Sequence, residues 1–301
     1  MFTLAHLSDI HLAPLPRPAL HELMTKRALG YLNWQRRRVQ HQRDVLDRLV
    51  GDLLGQAPDH IAMTGDLVNI ALPEEFRLVR RWLETVGEPD FITVIPGNHD
   101  AYVPFLRDPG ISHWQPYMLA NEAGQRFANG HLSGFPFVRL FGEIALICLS
   151  SARATLPGMA SGRLGWRQMT SVGPILDELK RGGYCRVVLI HHPPLPGMTP
   201  WQRALHDAGT FRDVLIRHGA ELVLHGHNHR AMIARLETKT GPLPIIGVPS
   251  ASHSSHEPAK RARYNLYSIG KTRDGSWRIG MRGRVFDHDG QAMDVHQDLL
   301  P

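Results

Sequence analysis

Cysteine is scarce in this chain, with two in 301 residues, Cys148 and Cys185. Both stand in short apolar stretches, so we expect buried free thiols in a reducing compartment and no disulfide. Long hydrophobic runs are missing as well, and no stretch approaches the roughly 20 apolar residues that a transmembrane helix needs. The sequence therefore disfavours both a secreted disulfide scaffold and an integral membrane protein.

The N-terminal residues lack the features of a secretory signal peptide. The apolar run from Phe2 to Leu7 is short and has no basic leader before it. With 43% hydrophobic residues, the chain has enough apolar side chains for one large core. We expect a single domain over residues 1–301 in the cytoplasm, with attachment to the inner face of the membrane as an alternative.

What the chain does contain is a series of polar motifs. Each is rich in Asp, Asn or His, and each comes directly after a short apolar run that is typical of a buried strand. The five motifs are Asp9-Ile10-His11, Gly65-Asp66, Gly97-Asn98-His99-Asp100, His191-His192-Pro193 and Gly226-His227-Asn228-His229. Functional groups in layered α/β proteins gather at the carboxyl ends of strands, so we expect all five motifs at one rim of the fold.

The side chains of these motifs suit a particular kind of metal site. They offer carboxylate oxygens, an amide oxygen and imidazole nitrogens, in numbers sufficient for two divalent cations. This donor set favours Mn²⁺, Fe, Zn²⁺ or Co²⁺, whereas a cage of carboxylates alone would suit Ca²⁺ or Mg²⁺. Two metal ions that share one carboxylate are suited to catalyse the hydrolysis of phosphorus esters. A single motif of this kind is usually an ordinary turn, but five in series favour a site.

In chain order the motifs read D-x-H, G-D, G-N-H-D, V-x-x-H and G-H-x-H, and this set resembles that of the calcineurin-like metallophosphoesterases. The resemblance extends from Asp9 to His229, with no substitution at a ligand position. It implies an α/β fold, a four-layer α/β/β/α sandwich with two packed mixed β-sheets. It also implies a metal site at the carboxyl ends of the strands.

The resemblance assigns a role to each predicted ligand. Asp9, His11 and His229 would hold one metal ion. Asn98, His191 and His227 would hold the other, and Asp66 would bridge the two. Mn²⁺ is the first expectation for the two divalent metal ions, with Fe, Zn or Co as alternatives. A hydroxide between the metals would be the nucleophile, because metal binding lowers the pKa of water.

Other residues of the motifs receive outer roles. His99 is expected to contact the phosphoryl oxygen or to protonate the leaving oxygen, and Asp100 is expected to orient His99. The V-x-x-H spacing selects His191 as the ligand and leaves His192 to pack or hydrogen-bond nearby. The histidines outside the ligand set are expected to have surface or packing roles: His6, His41, His206, His225, His253 and His256. Among these six, His225, His253 and His256 are the first candidates for lining the pocket.

The segment from about residue 17 to 42 is a basic, aromatic insert directly after the first motif. Its basic residues are Lys26, Arg27, Arg36, Arg37 and Arg38, interleaved with Leu29, Tyr31, Leu32 and Trp34. Most of the net charge of +6 falls between Lys26 and Arg48. One interpretation is a solvated helix with aromatics against the core. The other is a lid near the metal rim that contacts a membrane surface through residues 26–38 or grips an anionic, amphipathic substrate.

The remaining pattern gives the other elements. Helices are predicted over Arg43 to Leu54, Pro73 to Val86, Gly165 to Lys180 (interrupted at Gly173-Pro174) and Phe211 to His218. The loop-rich stretch from Phe105 to Gly134, with Trp114 and Tyr117, is expected to form a wall of the pocket. Residues 287–301 are polar and are expected to form a peripheral tail.

The motifs specify hydrolysis of phosphorus esters but leave the substrate open. The main hypothesis is a phosphodiesterase or pyrophosphatase for a phosphorylated small molecule. Alternatives are a UDP-2,3-diacylglucosamine pyrophosphate hydrolase of lipid A synthesis at the membrane surface, for which the insert would be suited, and a cyclic nucleotide phosphodiesterase. A non-catalytic metal-bound scaffold is a further alternative. No nucleic-acid-binding module is recognisable, so we expect no specific nucleic-acid partner, and the sequence predicts no oligomeric state.

Overall fold

The computed structural model describes all residues except 38, 105–109, 128–133, 256, 287–291 and 301. The strands in the described part are β1 (Phe2–Leu7), β2 (His60–Met63), β3 (Ile92–Val94), β4 (Phe137–Phe141), β5 (Ile144–Cys148), β6 (Cys185–Leu189), β7 (Leu222–His225), β8 (Met232–Thr238), β9 (Gly241–Gly247), β10 (Arg263–Lys271), β11 (Trp277–Phe286) and β12 (Ala292–Leu300). The α-helices are α1 (Arg27–Arg37), α2 (Arg43–Gly55), α3 (Pro73–Val86), α4 (Gly165–Arg181) and α5 (Ala208–His218). Short 3₁₀ helices cover Leu20–Leu23, Gly110–Met118, Glu122–Phe127, Trp201–Arg203 and Pro258–Lys260.

The strands form two mixed sheets of six. The order in the first is β12-β11-β10-β1-β2-β3, and in the second β4-β5-β6-β7-β9-β8. Strands β1, β2 and β3 run parallel to one another in the first sheet, and β5, β6 and β7 run parallel in the second. Each sheet therefore contains a block of parallel strands, at one edge of the first sheet and inside the second, and the carboxyl ends within each block lie on one side.

Alternation along β6 shows how the layers stack. Val187 and Leu189 belong to a core that also contains Leu4 of β1 and Leu49 of α2. Val188, between them, belongs to a second core with α4 and α5. Successive strand residues face opposite sides of a sheet, so the two sheets pack together and helices cover their outer faces. This arrangement confirms the predicted α/β/β/α sandwich.

Several predicted helices appear with the predicted bounds or within three residues of them. The interruption predicted at Gly173-Pro174 is wrong, because α4 continues through Pro174. Gly173 instead allows close packing, since a Cβ there would lie 2.8 Å from Nε2 of His218 at the end of α5. The polar C-terminal segment includes β12, which pairs with β11 at the edge of the first sheet.

The predicted aromatic wall is not part of the pocket. Trp114 is fully buried and Tyr117 nearly so, both in the first core. The ring centroid of Trp114 lies 5.2 Å from that of Phe76 in α3, and the Tyr117 hydroxyl donates to the carbonyl of Gly87 at 3.1 Å. Apolar burial against α3 therefore accounts for these two aromatics, and residues 105–109 and 128–133 of this stretch lie outside the described residues.

Candidate metal centre

All five polar motifs follow strands of the two parallel blocks. Asp9 and His11 follow β1, Asp66 follows β2, and the third motif follows β3. The fourth and fifth motifs follow β6 and β7 of the other sheet. The structure thus brings together, at one rim, all the residues predicted to bind metal.

The backbone at this rim is held in an unusual conformation. Asp9, His11, Asp66, His227 and His229 have positive φ angles of 53°, 42°, 56°, 73° and 50°. This left-handed region is strained for residues with a side chain, and such strain clusters at functional sites. Hydrogen bonds between motifs maintain it, among them Asp9 N to Gly65 O at 2.9 Å and His11 N to Asp66 O at 3.0 Å.

Glycine is required where these loops approach one another. A Cβ on Gly97 would collide with the Asp66 carboxylate, and one on Gly226 would collide with the Ser8 hydroxyl and the Asp9 carboxylate. The glycines that begin two of the motifs therefore let neighbouring loops meet closely enough for their polar side chains to share one centre.

One group of donor atoms gathers around His229. Its Nε2 lies 3.1 Å from Oδ1 of Asp9 and 3.3 Å from Nε2 of His11. Nε2 of His11 in turn lies 4.0 Å from Oδ2 of Asp66. These are the side chains predicted for the first metal ion.

A second group gathers around His191. Its Nε2 lies 3.2 Å from Oδ1 of Asn98, 3.2 Å from Nδ1 of His227 and 3.3 Å from Oδ2 of Asp66. The same carboxylate oxygen of Asp66 therefore faces both groups, which suits a bridging ligand. Asp66, His191 and His227 offer donor atoms that all lie within 4.8 Å of one another.

The outer ring nitrogens show whether this set fits metal ions. His11 Nδ1 lies 3.1 Å from the carbonyl of Val68, His191 Nδ1 2.6 Å from that of Thr64, and His227 Nε2 2.8 Å from that of Arg203. A carbonyl only accepts, so each of these nitrogens donates its N–H, as in metal-binding histidines. The inner nitrogens then direct their lone pairs at the centre, and buried Asp9 Oδ1 has no well-formed hydrogen bond. The chain thus presents His/Asp clusters that fit divalent metals.

The charges at the rim support cation binding. Burial would raise the pKa of Asp9, but His229 and His191 lower it to about 2. Burial lowers the pKa of His11 to about 3, so this imidazole is neutral near pH 7. Burial would also lower the pKa of His191, but Asp66 raises it to about 9. The Asp66 carboxylate thus favours positive charge at this position, which a divalent cation would supply.

His99 does not belong to the donor cluster around His191, but its ring offers a nitrogen within 4.8 Å of donor atoms of His11 and Asp66. Its backbone N–H donates to Oδ1 of Asp66 at 2.7 Å, and its ring Nδ1 bonds the carbonyl of Asn69. The ring stacks on Tyr102 at a centroid distance of 5.6 Å. His99 is therefore oriented by a backbone carbonyl and an aromatic ring.

The role predicted for Asp100 needs correction. Its buried carboxylate accepts four backbone N–H groups, from Asp66 and Gly97 at 2.8 Å each, Leu67 at 2.8 Å and Val68 at 3.1 Å. None of these bonds reaches the ring of His99. Asp100 instead holds the loop that carries Asp66, because a carboxylate is the acceptor best able to satisfy several converging amides.

The other histidines near the centre mostly pack against their neighbours. His192 packs as expected, with Nδ1 2.7 Å from Oγ of Ser151. His225 is fully buried and lies outside the cavity next to the centre. His253 does not line that cavity either, and His256 lies outside the described residues. His225 therefore has the packing role that is the default expectation, and the ring of His253 packs against those of His41 and His229 at centroid distances of 5.4 and 6.3 Å.

The cavity has a volume of about 230 Å³, and the insert forms much of its wall. The centre contributes His11, His99 and His229. The insert contributes Gly30, Asn33, Trp34, Gln40 and His41, and the remaining wall is Asn69, Ile70 and Tyr102. The sequence predicts only a surface or packing role for His41, because no motif spacing marks it.

Some of the basic side chains of the insert attach it to the rest of the fold. Lys26 donates to Oγ1 of Thr155 at 2.8 Å and lies 4.3 Å from the ring centroid of Tyr102. Arg27 donates to the carbonyls of Ile70, at 3.2 Å, and Ala71. Two of the five basic residues of the insert therefore anchor α1 over the centre. Another of the five, Arg38, lies outside the described residues.

Gly30 provides a test of the insert as a pocket wall. A Cβ there would lie 2.6 Å from the Tyr102 hydroxyl and 2.8 Å from Cγ2 of Ile70. Gly30→Leu is expected to push α1 outward and raise KM for a diester by about tenfold, the effect of one lost contact of about 1.4 kcal/mol. Gly51→Leu in α2 is the matched control, because nothing lies within 4 Å of its Cβ. Equal KM values for the two variants would contradict the assignment.

A rim of carboxylate, amide and imidazole groups on a two-sheet sandwich defines a metal-dependent hydrolase of phosphoric esters. The chain belongs to the calcineurin-like phosphoesterase family, whose sequence profile matches residues 2–231.

Relatives of known name support this class. A probable cyclic nucleotide phosphodiesterase from Synechococcus is 27% identical over 92% of this chain and 90% of its own length. The glycerophosphodiester phosphodiesterase GpdQ of Enterobacter lignolyticus is 27% identical over 83% of this chain and 77% of its own.

Solved structures share the fold. A dimetal phosphatase from Danio rerio aligns with a TM-score of 0.61 at 14% identity, covering 98% of each chain. A purple acid phosphatase from yellow lupin aligns with a TM-score of 0.56 at 12% identity, covering 97% of this chain and 52% of its own. Over the described residues, no helix has the length and apolar character to cross a membrane.

Proposed function

We propose that this chain is a phosphodiesterase that works with two divalent metal ions, Mn²⁺ in the first place. Asp9, His11 and His229 would hold the first ion, and Asn98, His191 and His227 the second. Asp66 would contribute to both. The observation that carries the proposal is the position of Asp66 Oδ2, which faces His191 Nε2 at 3.3 Å and His11 Nε2 at 4.0 Å.

Bound metals supply Lewis acidity and a water of lowered pKa, which is the chemistry that phosphoester hydrolysis requires. The chain's own residues supply position and protons. The left-handed backbone at Asp9 and Asp66 and the Asp100 carboxylate fix the ligands before substrate binds. His99 faces the cavity and contacts the phosphoryl oxygen or gives a proton to the leaving oxygen.

The cavity supports a small substrate. A water molecule takes up about 30 Å³ in the liquid, so a cavity of about 230 Å³ holds a small organic group. The cavity-facing residues of the insert are neutral, with the amides of Asn33 and Gln40 beside the indole of Trp34. This wall suits the uncharged alcohol or base of a diester, and both named relatives are phosphodiesterases by name.

A second candidate is a lipid-linked substrate such as UDP-2,3-diacylglucosamine, bound at a membrane surface. It is supported by apolar side chains exposed on the insert, at Leu20 (87%), Met24 (84%), Leu29 (53%) and Leu32 (51%). The inward hydrogen bonds of Lys26 and Arg27 leave less basic charge for anionic lipid than residues 26–38 suggested. Membrane contact therefore stays a prediction.

Metal removal tests the proposed function. Chelation followed by dialysis is expected to lower turnover of bis-p-nitrophenyl phosphate by roughly 1,000-fold or more, because the metals contribute several kcal/mol to the transition state. Addition of Mn²⁺ should restore it. The same assay over phosphomonoesters, glycerophosphodiesters, cyclic nucleotides and UDP-lipids ranks the substrate classes. Full activity in metal-free enzyme would refute the proposal, and a strong preference for UDP-lipids would favour the second candidate.

A further inference from the structure

We propose that His41, which belongs to the insert and to none of the five motifs, is a substrate-binding residue that contacts an oxygen of the phosphodiester. This inference rests on the proposed phosphodiesterase function and adds to it a second imidazole beside His99.

The position of His41 in the cavity is the first support. Its ring centroid lies 4.5 Å from that of His11 and 5.5 Å from that of His229. The ring of His11 also lies 4.8 Å from that of His99. Both His41 and His99 line the cavity, so the substrate space next to His11 has two imidazoles outside the predicted metal set.

The backbone holds His41 in this position. Gln42 N–H donates to the carbonyl of Ser252 at 2.9 Å, and Ser254 N–H donates to the carbonyl of Gln40 at 2.7 Å. These two bonds form an antiparallel bridge between His41 and His253. The insert is therefore attached to the 250–254 loop at the residue whose side chain enters the cavity.

A hydrogen-bond chain connects this loop to the first motif. Nδ1 of His41 lies 2.8 Å from Oγ of Ser252. Ser250 Oγ donates to the carbonyl of Asp9 at 2.5 Å, and Ala251 N–H donates to the carbonyl of Ser8 at 3.0 Å. The ring of His41 is thus oriented from the same backbone that carries a predicted metal ligand. Since Nδ1 is engaged by a hydroxyl, Nε2 is the nitrogen left for a substrate oxygen.

A competing role is that of a metal ligand. His11, His41 and His229 each offer a ring nitrogen within 4.8 Å of the others. Asp9 and Asp66 already stand beside His11 and His229, so the first metal has its predicted ligands without His41. Metal content and substrate affinity therefore separate the two roles.

The test compares His41→Ala with His21→Ala, an exposed histidine of the same insert. In Mn²⁺-loaded protein, His41→Ala is expected to keep two metal equivalents, raise KM for bis-p-nitrophenyl phosphate roughly tenfold and weaken binding of inorganic phosphate by a similar factor, as expected for one lost hydrogen bond. Metal content is measured by mass spectrometry and phosphate binding by calorimetry. His21→Ala should match the wild type in all three.

Two further variants keep the proposal testable if the alanine variant folds poorly. His41→Gln retains a side-chain donor and should recover part of the phosphate affinity, while Ser252→Ala leaves the imidazole and removes its partner, giving an intermediate KM. Loss of one metal equivalent in His41→Ala or His41→Gln would make His41 a ligand and overturn the proposal. Unchanged KM and phosphate affinity in a folded variant would reduce His41 to packing. Complete loss of activity in all three variants, with Gly51→Leu still active, would contradict a role in substrate binding alone. An inactive wild type would refute the proposed phosphodiesterase function.

Discussion

Asp66→Asn is expected to abolish both tight binding of two metal ions and turnover of a diester. The Oδ1 atom of Asp66 accepts the backbone N–H of His99 at 2.7 Å, and an amide oxygen can accept the same bond. The Oδ2 atom faces His191 and His11 at 3.3 and 4.0 Å, where an amide NH₂ would offer no negative charge and no lone pair. The loop can thus keep its hydrogen bonds while the bridge is lost.

The measurements are metal content after dialysis against Mn²⁺, turnover of bis-p-nitrophenyl phosphate, and the thermal unfolding midpoint. Turnover should fall by about 1,000-fold or more. Asp47→Asn is the matched control, because Asp47 lies on the outer face of α2 and pairs with Arg43 at 2.7 Å. An Asp66→Asn protein that still binds two metals tightly would show that the bridging role is wrong.

The metal rim could be predicted because its information is local in sequence. Each predicted ligand lies within five residues of the end of a buried strand, as Asp66 does after β2 and His191 after β6. The strand pattern is read from a few apolar residues, and parallel strands place their ends together. The sandwich itself follows from the same pattern once the family resemblance supplies the layer order.

The roles of Asp100 and His41 could not be predicted in this way. Because Asp100 directly follows His99 in the sequence, it is predicted to be the hydrogen-bond partner that orients His99. The turn instead directs its carboxylate to the amides of two loops. The place of His41 depends on the bridge between the insert and the 250–254 loop, about 210 residues away in the chain and marked by no periodicity. Trp114 shows a third case, in which an aromatic in a loop-rich stretch fills the core against Phe76.

His99→Ala is expected to lower kcat by roughly 10² to 10⁴, the usual contribution of a positioned acid–base group. Metal content should stay at two equivalents, because Nδ1 of His99 bonds the carbonyl of Asn69. His11, Asp66 and His99 do offer donor atoms within 4.8 Å of one another, so metal content is the measurement that decides. His296→Ala, on exposed β12, serves as the control. A fall in metal content would place His99 among the ligands and contradict the outer role.

Substrates with different leaving groups distinguish the two roles proposed for His99, protonation of the leaving oxygen and binding of the phosphoryl oxygen. A p-nitrophenolate leaves readily without a proton, whereas the alkoxide of a glycerophosphodiester does not. If His99 protonates the leaving oxygen, His99→Ala should lose far more activity toward a glycerophosphodiester than toward bis-p-nitrophenyl phosphate. If His99 only binds the phosphoryl oxygen, the two substrates should lose activity by the same factor, because that oxygen is common to both. His99 lines the cavity beside Tyr102 and Asn69. The ratio of the two losses therefore decides whether it protonates the leaving oxygen or only binds the phosphoryl oxygen.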